Sequence, residues 1–309
     1  MSPARVIMDA TATEPAAATG HSVILSDGRR LGYAEYGDLA GRPVIYCHGF
    51  PTSRLEPCLI GAVAEEAGVR LIAPDRPGYG LSDFQPGRRI LDWPRDVLEL
   101  ADILGLGGFA VIGMSGGGPY ALACAHACAC RVSATAIVCG LGPLCEPELL
   151  CEMAPHARLG MALSRRAAWV LDLIVRLQMK AGGRWDPQRF IGLLAPSLRE
   201  ADAAVIAREW VQREFADAVH ESVRNGPRGV VWDLRLYSQP WGFDLDETCA
   251  KVILWQGEDD TIVPASHGRY LARRLPNCDA RFIADEGHFS LAMNYADEVL
   301  SELAGAQAS

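Results

Sequence analysis

An apolar run, Gly108-Phe109-Ala110-Val111-Ile112, stops abruptly at Gly113, and a helix-forming run, Tyr120-Ala121-Leu122-Ala123-Cys124-Ala125, begins just after Gly118. Strand, tight turn and helix follow one another with almost no chain to spare. The turn holds Ser115 in Gly-x-Ser-x-Gly spacing, which places small residues where a strained serine would be crowded from both sides. Pro119 falls in the first helical turn, where a missing N–H costs nothing. The helix start also directs unpaired N–H groups at any negative charge forming beside Ser115. This geometry points to a nucleophile, but an ordinary serine in a Gly-rich turn shares the pentapeptide, so the rest of the chain must decide.

Around that turn the chain alternates. His21 to Gly37 shows two short runs about Asp27-Gly28, a hairpin signal. Pro43 to Cys47 is an apolar strand ending in His48-Gly49-Phe50-Pro51, and a helical pattern runs from about Arg54 to Ala67. Val69 to Ala73 is a buried-type strand, followed by the turn-rich Asp75-Arg76-Pro77-Gly78-Tyr79-Gly80-Leu81-Ser82-Asp83. Asp92 to Leu104 has helical periodicity, and Ala134 to Cys139 is one more apolar strand. Continuous apolar strands separated by helices predict an α/β fold, a mostly parallel doubly wound sheet covered on both faces.

The alternation stops near Gly142-Pro143 and resumes with the strand Lys251 to Gln256. Between them the signal is helical. Arg166 to Met179 carries Val170, Leu171, Ile174 and Val175 on one face and ends at Gly182-Gly183; Asp186-Pro187 reads as a helix start. Ser197 and Glu200 have capping-box spacing, and Asn225-Gly226-Pro227 breaks the pattern again. The expected division is a tail over 1–20, a core over 21–142 and 245–309, and an inserted all-helical cap over 143–244. The insertion holds Trp169, Trp185, Trp210, Trp232 and Trp241, five of the seven tryptophans. They suit a cover over an apolar ligand and equally the core of a small helical subdomain. After the insertion come a loop through Asp260 to Pro264, a helix from Ser266 to Arg274, a strand from Asp279 to Ala284, Gly287-His288-Phe289 and a last helix from about Leu291 to Leu303. There is no internal repeat.

The totals exclude several classes. With 29 basic and 38 acidic residues the formal charge is −9, and no basic run could track a phosphate backbone, so nucleic acid is not an expected partner. No stretch approaches the ~20 apolar residues of a membrane span; Ala167 to Leu177 is interrupted by Asp172 and Arg176. The tail lacks the apolar segment of a secretory signal, and a mobile tail on a cytoplasmic protein is expected. The 10 cysteines show no zinc-site pairing and read mainly as small buried hydrophobes, with a disulfide involving Cys145 or Cys151 left open.

Acyl transfer by serine needs a base, an acid to orient it and donors for the oxyanion. Ser115, Asp260 and His288 each follow a predicted strand, on the edge where open α/β sheets place their sites. They stand in the order used by nucleophile-elbow enzymes. Asp259 competes with its neighbour, although spacing to Val263-Pro264 favours Asp260; Asp244 and Asp246 are more distant alternatives. His48 reads as support for its turn and His126 as a packed residue. His156, His220 and His267 have no identifiable partner and are expected to pack in the insertion or lie at the surface.

Gly113-Met114-Ser115-Gly116-Gly117, His48-Gly49-Phe50-Pro51, Gly257-x-x-Asp260-x-x-Val263-Pro264 and Gly287-His288-Phe289 together resemble an α/β-hydrolase with a helical cap, over roughly residues 21 to 305. The resemblance implies Ser115 as nucleophile, Asp260 as acid and His288 as base, with the N–H groups of Phe50 and Gly116 as the oxyanion hole. It makes the Asp75 to Ser82 loop structural. The His-Gly-Phe-Pro form is also like that of epoxide hydrolases and haloalkane dehalogenases, whose aspartate nucleophile is not matched by serine at 115. The expected function is a serine hydrolase that cleaves a carboxylic ester or lactone of a small, largely apolar molecule, with no cofactor and no metal. The same triad in the family also serves acyltransferases, lyases, perhydrolases and C–C bond hydrolases, and a non-catalytic ligand-binding member is the third class.

Overall fold

The computed structural model describes residues 20–181, 192 and 198–306. Residues 1–19 of the expected tail, Gly182-Gly183, Asp186-Pro187, Trp185 and Ser197 lie outside the described residues.

The predicted hairpin forms from β1 (His21–Ile24) and β2 (Arg30–Gly37), with Ile24 opposite Arg30 and Gly28 at φ 85° in the turn. β3 (Arg42–Cys47) leads into a short 3₁₀ turn at Glu56–Ile60 and then α1 (Gly61–Glu66), where a single helix from Arg54 to Ala67 was expected. Pro57, in the first turn of the 3₁₀ segment, has no N–H to give an α-helix reaching back to Arg54. β4 (Val69–Pro74), α2 (Trp93–Ile103), β5 (Phe109–Met114), α3 (Gly118–Ala127) and β6 (Val132–Val138) follow the predicted alternation.

Every regular element described in the insertion is a helix: α4 (Pro147–Glu152), α5 (Pro155–Arg166), α6 (Ala168–Ala181), α7 (Glu200–Ile206), α8 (Glu209–Ser222) and α9 (Arg228–Tyr237). The chain turns at Ala167 (φ −150°), so Arg166 closes α5 and the helix expected from Arg166 begins at Ala168. Val170, Leu171 and Val175 are half-buried, but Ile174 faces outward. Gly226, at φ 92°, makes the predicted break between α8 and α9. The core resumes with β7 (Val252–Gly257), α10 (Ala265–Arg274), β8 (Cys278–Ile283), α11 (His288–Asn294) and α12 (Ala296–Gly305). The last two replace one predicted helix, interrupted at Tyr295.

The strands form one eight-stranded sheet in the order β1-β2-β4-β3-β5-β6-β7-β8, antiparallel at β1-β2 and β2-β4 and parallel elsewhere. Successive side chains leave opposite faces. Phe109 and Val111 of β5 join the apolar layer under α2, α3 and α10, while Ala110, Ile112 and Met114 join the layer under α1, α11 and α12. Both faces are covered, which is why the central strands read as unbroken apolar runs. Among the described residues no helix is long and apolar enough to cross a membrane.

Candidate active site

β5 delivers Ser115 into the turn it was predicted to occupy, at φ 53°, a left-handed conformation that costs a non-glycine residue on the order of 1–3 kcal/mol. The glycines around it leave room for nothing larger. A Cβ on Gly113 would lie 2.6 Å from the Ala121 Cβ, and one on Gly116 would lie 2.7 Å from the Phe50 Cβ. The strain is therefore held in place by close packing of β5, α3 and the turn after β3.

His288 opens α11, and its Nδ1 lies 2.7 Å from Asp260 Oδ2. Asp260 is held in turn by the Ile262 and Val263 N–H groups, each 2.8 Å from Oδ1, and by Gln256 Nε2 at 3.3 Å from Oδ2. Asp259 is exposed, and Asp244 and Asp246 pair with Arg274 at the surface, so of the four acids only Asp260 meets the histidine. Burial opposes a charge on His288, but the Asp260 carboxylate and its hydrogen bond, with Asp202 and Glu56 adding to it, raise its pKa above the ordinary value. Ser115 and His288 line one pocket with Phe50, Gly49, Thr52 and Glu56.

The two N–H groups implied as oxyanion donors are each aimed through the carbonyl of their own peptide. Gly49 O accepts from Arg76 Nη2 at 2.9 Å and from Thr52 Oγ1 at 3.1 Å, and Ser115 O accepts from the Leu141 N–H at 3.0 Å. In a planar trans peptide the N–H points opposite to the C=O, so these bonds fix the directions of the Phe50 and Gly116 N–H groups. Arg76 Nη1 also donates to His48 O. His48 itself is buried, with Nδ1 2.9 Å from Gly49 O and Nε2 accepting from the Arg76 N–H, a supporting role as expected.

Beyond the polar mouth the pocket is lined by Ile112, Met114 and Val138 from the sheet, Val299 and Leu300 from α12, and Val205, Val211 and Phe215 from the insertion. The four described tryptophans of the insertion do not line it: Trp241 lies in the apolar layer, Trp232 donates to Arg88 O at 3.0 Å, Trp169 is 72% exposed and Trp210 packs near Val205. Of the two readings of the tryptophans, the one that places them over a ligand is not met by the four described; the insertion residues that line the pocket are Val205, Val211 and Phe215. Other expectations shift as well. His267 is buried on α10, in the core rather than the insertion, and accepts from the Gly142 N–H at 3.1 Å. His126 packs against Phe243 as predicted. Cys145 and Cys151 are free thiols, like the other cysteines. Among the described residues, the donor atoms of Cys139, Asp260 and His288 lie within 4.8 Å of one another, close enough for a metal, although the Asp260–His288 hydrogen bond already uses two of them.

A family model described as alpha/beta hydrolase fold matches residues 42–294. The chain belongs to this family. A non-heme haloperoxidase of Rhodococcus erythropolis is 32% identical over 263 residues, covering 82% of this chain and 86% of that one. A non-heme chloroperoxidase of Streptomyces lividans is 36% identical over 126 residues, 40% of this chain, and the match spans 45% of that enzyme's length. A thermophilic esterase from Thermogutta terrifontis shares the fold at a TM-score of 0.66 and 23% identity, covering 92% of this chain and 96% of that one.

Three buried carboxylates of this α/β-hydrolase had no sequence signature. Asp233 of α9 accepts from Arg76 Nε and Tyr79 OH, both at 2.8 Å, from Tyr120 OH at 2.6 Å and from Arg88. Asp202 of α7 reaches α11. Glu56 accepts the Gly49 N–H at 2.5 Å and is further bonded by Thr52 and Tyr46. The partners of Asp202 and Asp233 are distant in the chain, whereas those of Glu56 lie within ten residues of it, and only the Arg-Pro-Gly-Tyr stretch at 76–79, with its cation and phenol, hinted at a buried acid to receive them.

Proposed function

We propose that this chain is a serine hydrolase that cleaves a carboxylic ester or lactone of a small, largely apolar molecule through an acyl-enzyme. The observation that carries this reading is a strained Ser115 lining the same pocket as His288, whose other ring nitrogen is 2.7 Å from a buried, firmly held Asp260. His288, oriented by Asp260, takes the Ser115 proton as the oxygen attacks the carbonyl carbon. The Phe50 and Gly116 N–H groups stabilise the tetrahedral oxyanion, each worth about 3–4 kcal/mol. His288 then protonates the leaving alcohol, and water repeats the sequence on the acyl-enzyme. Residues 143–244 act as a cap, contributing Val205, Val211 and Phe215 to a wall that favours an apolar acyl or alcohol group.

A fluorophosphonate probe should label Ser115, and Ser115→Ala should abolish both labelling and turnover of short-chain aryl esters while the fold is kept. Unchanged hydrolysis by that variant would remove Ser115 from the mechanism. The haloperoxidase names among the relatives favour a second reading, in which peroxide rather than water receives the acyl group and a peracid leaves. Product analysis with and without peroxide separates the two.

A further inference from the structure

Asp202 sits in the first turn of α7, on the insertion, and is fully buried. Its Oδ2 accepts the His288 N–H at 2.9 Å, and its Oδ1 accepts the Phe289 and Ser290 N–H groups, each at 2.8 Å. These are N–H groups of the first turn of α11, which have no partner within their own helix. The local sequence supplies no side chain to take them: residue 287 is glycine, and the Ser290 hydroxyl is engaged by the Gly287 N–H at 2.8 Å. Glycine at 287 is what lets the carboxylate approach, since a Cβ there would lie 2.6 Å from Asp202 Oδ1. Val205 and Ile206, one turn further along α7, pack with Phe289 and Met293 and keep the two helices together.

His288 is thus gripped twice, by acids from different parts of the molecule. Asp260, from the loop after β7, holds the ring. Asp202, from the insertion, holds the backbone from which the ring projects. The other titratable groups facing the histidine are Glu56, from the 3₁₀ turn after β3, and the Cys139 thiol after β6. Glu286, two residues earlier, is engaged by Asn294 Nδ2.

We propose that Asp202 is a positioning residue for His288: through this one carboxylate the seated insertion fixes the backbone of the histidine so that Asp260 can orient its ring toward Ser115. This rests on the reading of His288 as the base. Movement of α7 away from α11 takes the acceptor from three N–H groups at once, so the base is fully set only while the insertion is in place. Misplacement of a catalytic group by about 1 Å is enough to cost on the order of a hundredfold in rate.

The test compares Asp202→Asn and Asp202→Ala with the parent in the full chain. The probe is p-nitrophenyl acetate, the active fraction is titrated with a fluorophosphonate, and the His288 imidazole is titrated by NMR. Asparagine keeps an acceptor oxygen but not the charge; alanine removes both. The expected result is kcat per active site lower by about tenfold in Asn and about a hundredfold in Ala, with KM nearly unchanged. Asp202 helps hold the histidine charge, so its removal should lower the His288 pKa and move the acid limb of kcat/KM to lower pH in step. Both variants keeping the parental kcat and imidazole titration would overturn the proposal. So would a loss confined to the number of active sites, with kcat per site unchanged, because that is the mark of a merely structural residue. If alanine does not fold, the asparagine variant decides. If the parent neither hydrolyses ester nor takes the label, the hydrolase reading fails, and the imidazole titration still decides whether Asp202 acts on His288.

Discussion

The insertion joins the core through two fully buried aspartates that work differently. Asp233 is surrounded by charge: two guanidiniums, from Arg76 and Arg88, and the hydroxyls of Tyr79 and Tyr120 converge on it, with Tyr237 beside them. Burial pushes its carboxyl pKa up, but the Arg88 and Arg76 charges outweigh that and hold it well below the usual range. Asp202 meets three backbone N–H groups instead. The first junction passes, through Arg76, to the carbonyls of His48 and Gly49, and so to the turn that aims the Phe50 N–H. The second passes to His288. An ion cluster of this size fixes where the insertion sits, whereas an N–H trio fixes how one residue is held, so the two should fail in different ways.

The largest effect is expected at the ion cluster. Asp233→Ala leaves two buried guanidiniums without their acid, and breaking such a pair typically costs about 3–5 kcal/mol. Urea titration should show a midpoint far below that of the parent. Asp202→Ala, which leaves N–H groups without an acceptor but no buried charge without its partner, should cost less, about 1–3 kcal/mol in the same titration. Equal losses from the two substitutions would break the distinction between an anchor and a positioning group.

The two junctions also divide what the sequence disclosed from what it hid. The sheet was legible because its strands are continuous apolar runs with turn residues between them, and Ser115 because glycine spacing is a local consequence of crowding. Asp260 and His288 could be placed because each follows a strand by a fixed short distance. Asp202 and Asp233 could not. Asp202 lies 86 positions from His288 and Asp233 157 from Arg76, and an aspartate in a helix reads as a solvated residue unless its partner is known. The tryptophans left two readings open for the same reason: bulk is visible in a sequence, but the direction a helix face turns is set by what it packs against.

Glu56 sharpens the comparison, because it is buried like the two aspartates but held by neither a close guanidinium nor a helix end. Burial pushes its carboxyl up to about 7, against the Gly49 N–H, the Thr52 hydroxyl and the charges of Arg76 and His288. The folded chain therefore holds this proton more tightly than the unfolded chain, and stability should fall as pH rises from about 4.5 to about 7. Glu56→Gln removes that slope. Its stability relative to the parent should rise across the window by as much as about 3 kcal/mol, measured by urea titration at several pH values. A difference that stays flat would mean that the carboxylate is as well compensated as Asp233.

The smallest effect is expected on the solvent-exposed face of α6. Trp169 is 72% exposed on α6, so Trp169→Ser should change stability by no more than about 0.5 kcal/mol and leave the preference between short and long p-nitrophenyl esters as it was. Val211, on α8, faces the pocket with Phe215, and Val211→Phe should fill part of the space and shift the preference toward shorter chains. If Trp169 governs chain length and Val211 does not, substrate reaches Ser115 across the outer face of the insertion. The two junctions would then hold down a wall that substrate never meets, and the role of α7 would be confined to the histidine backbone.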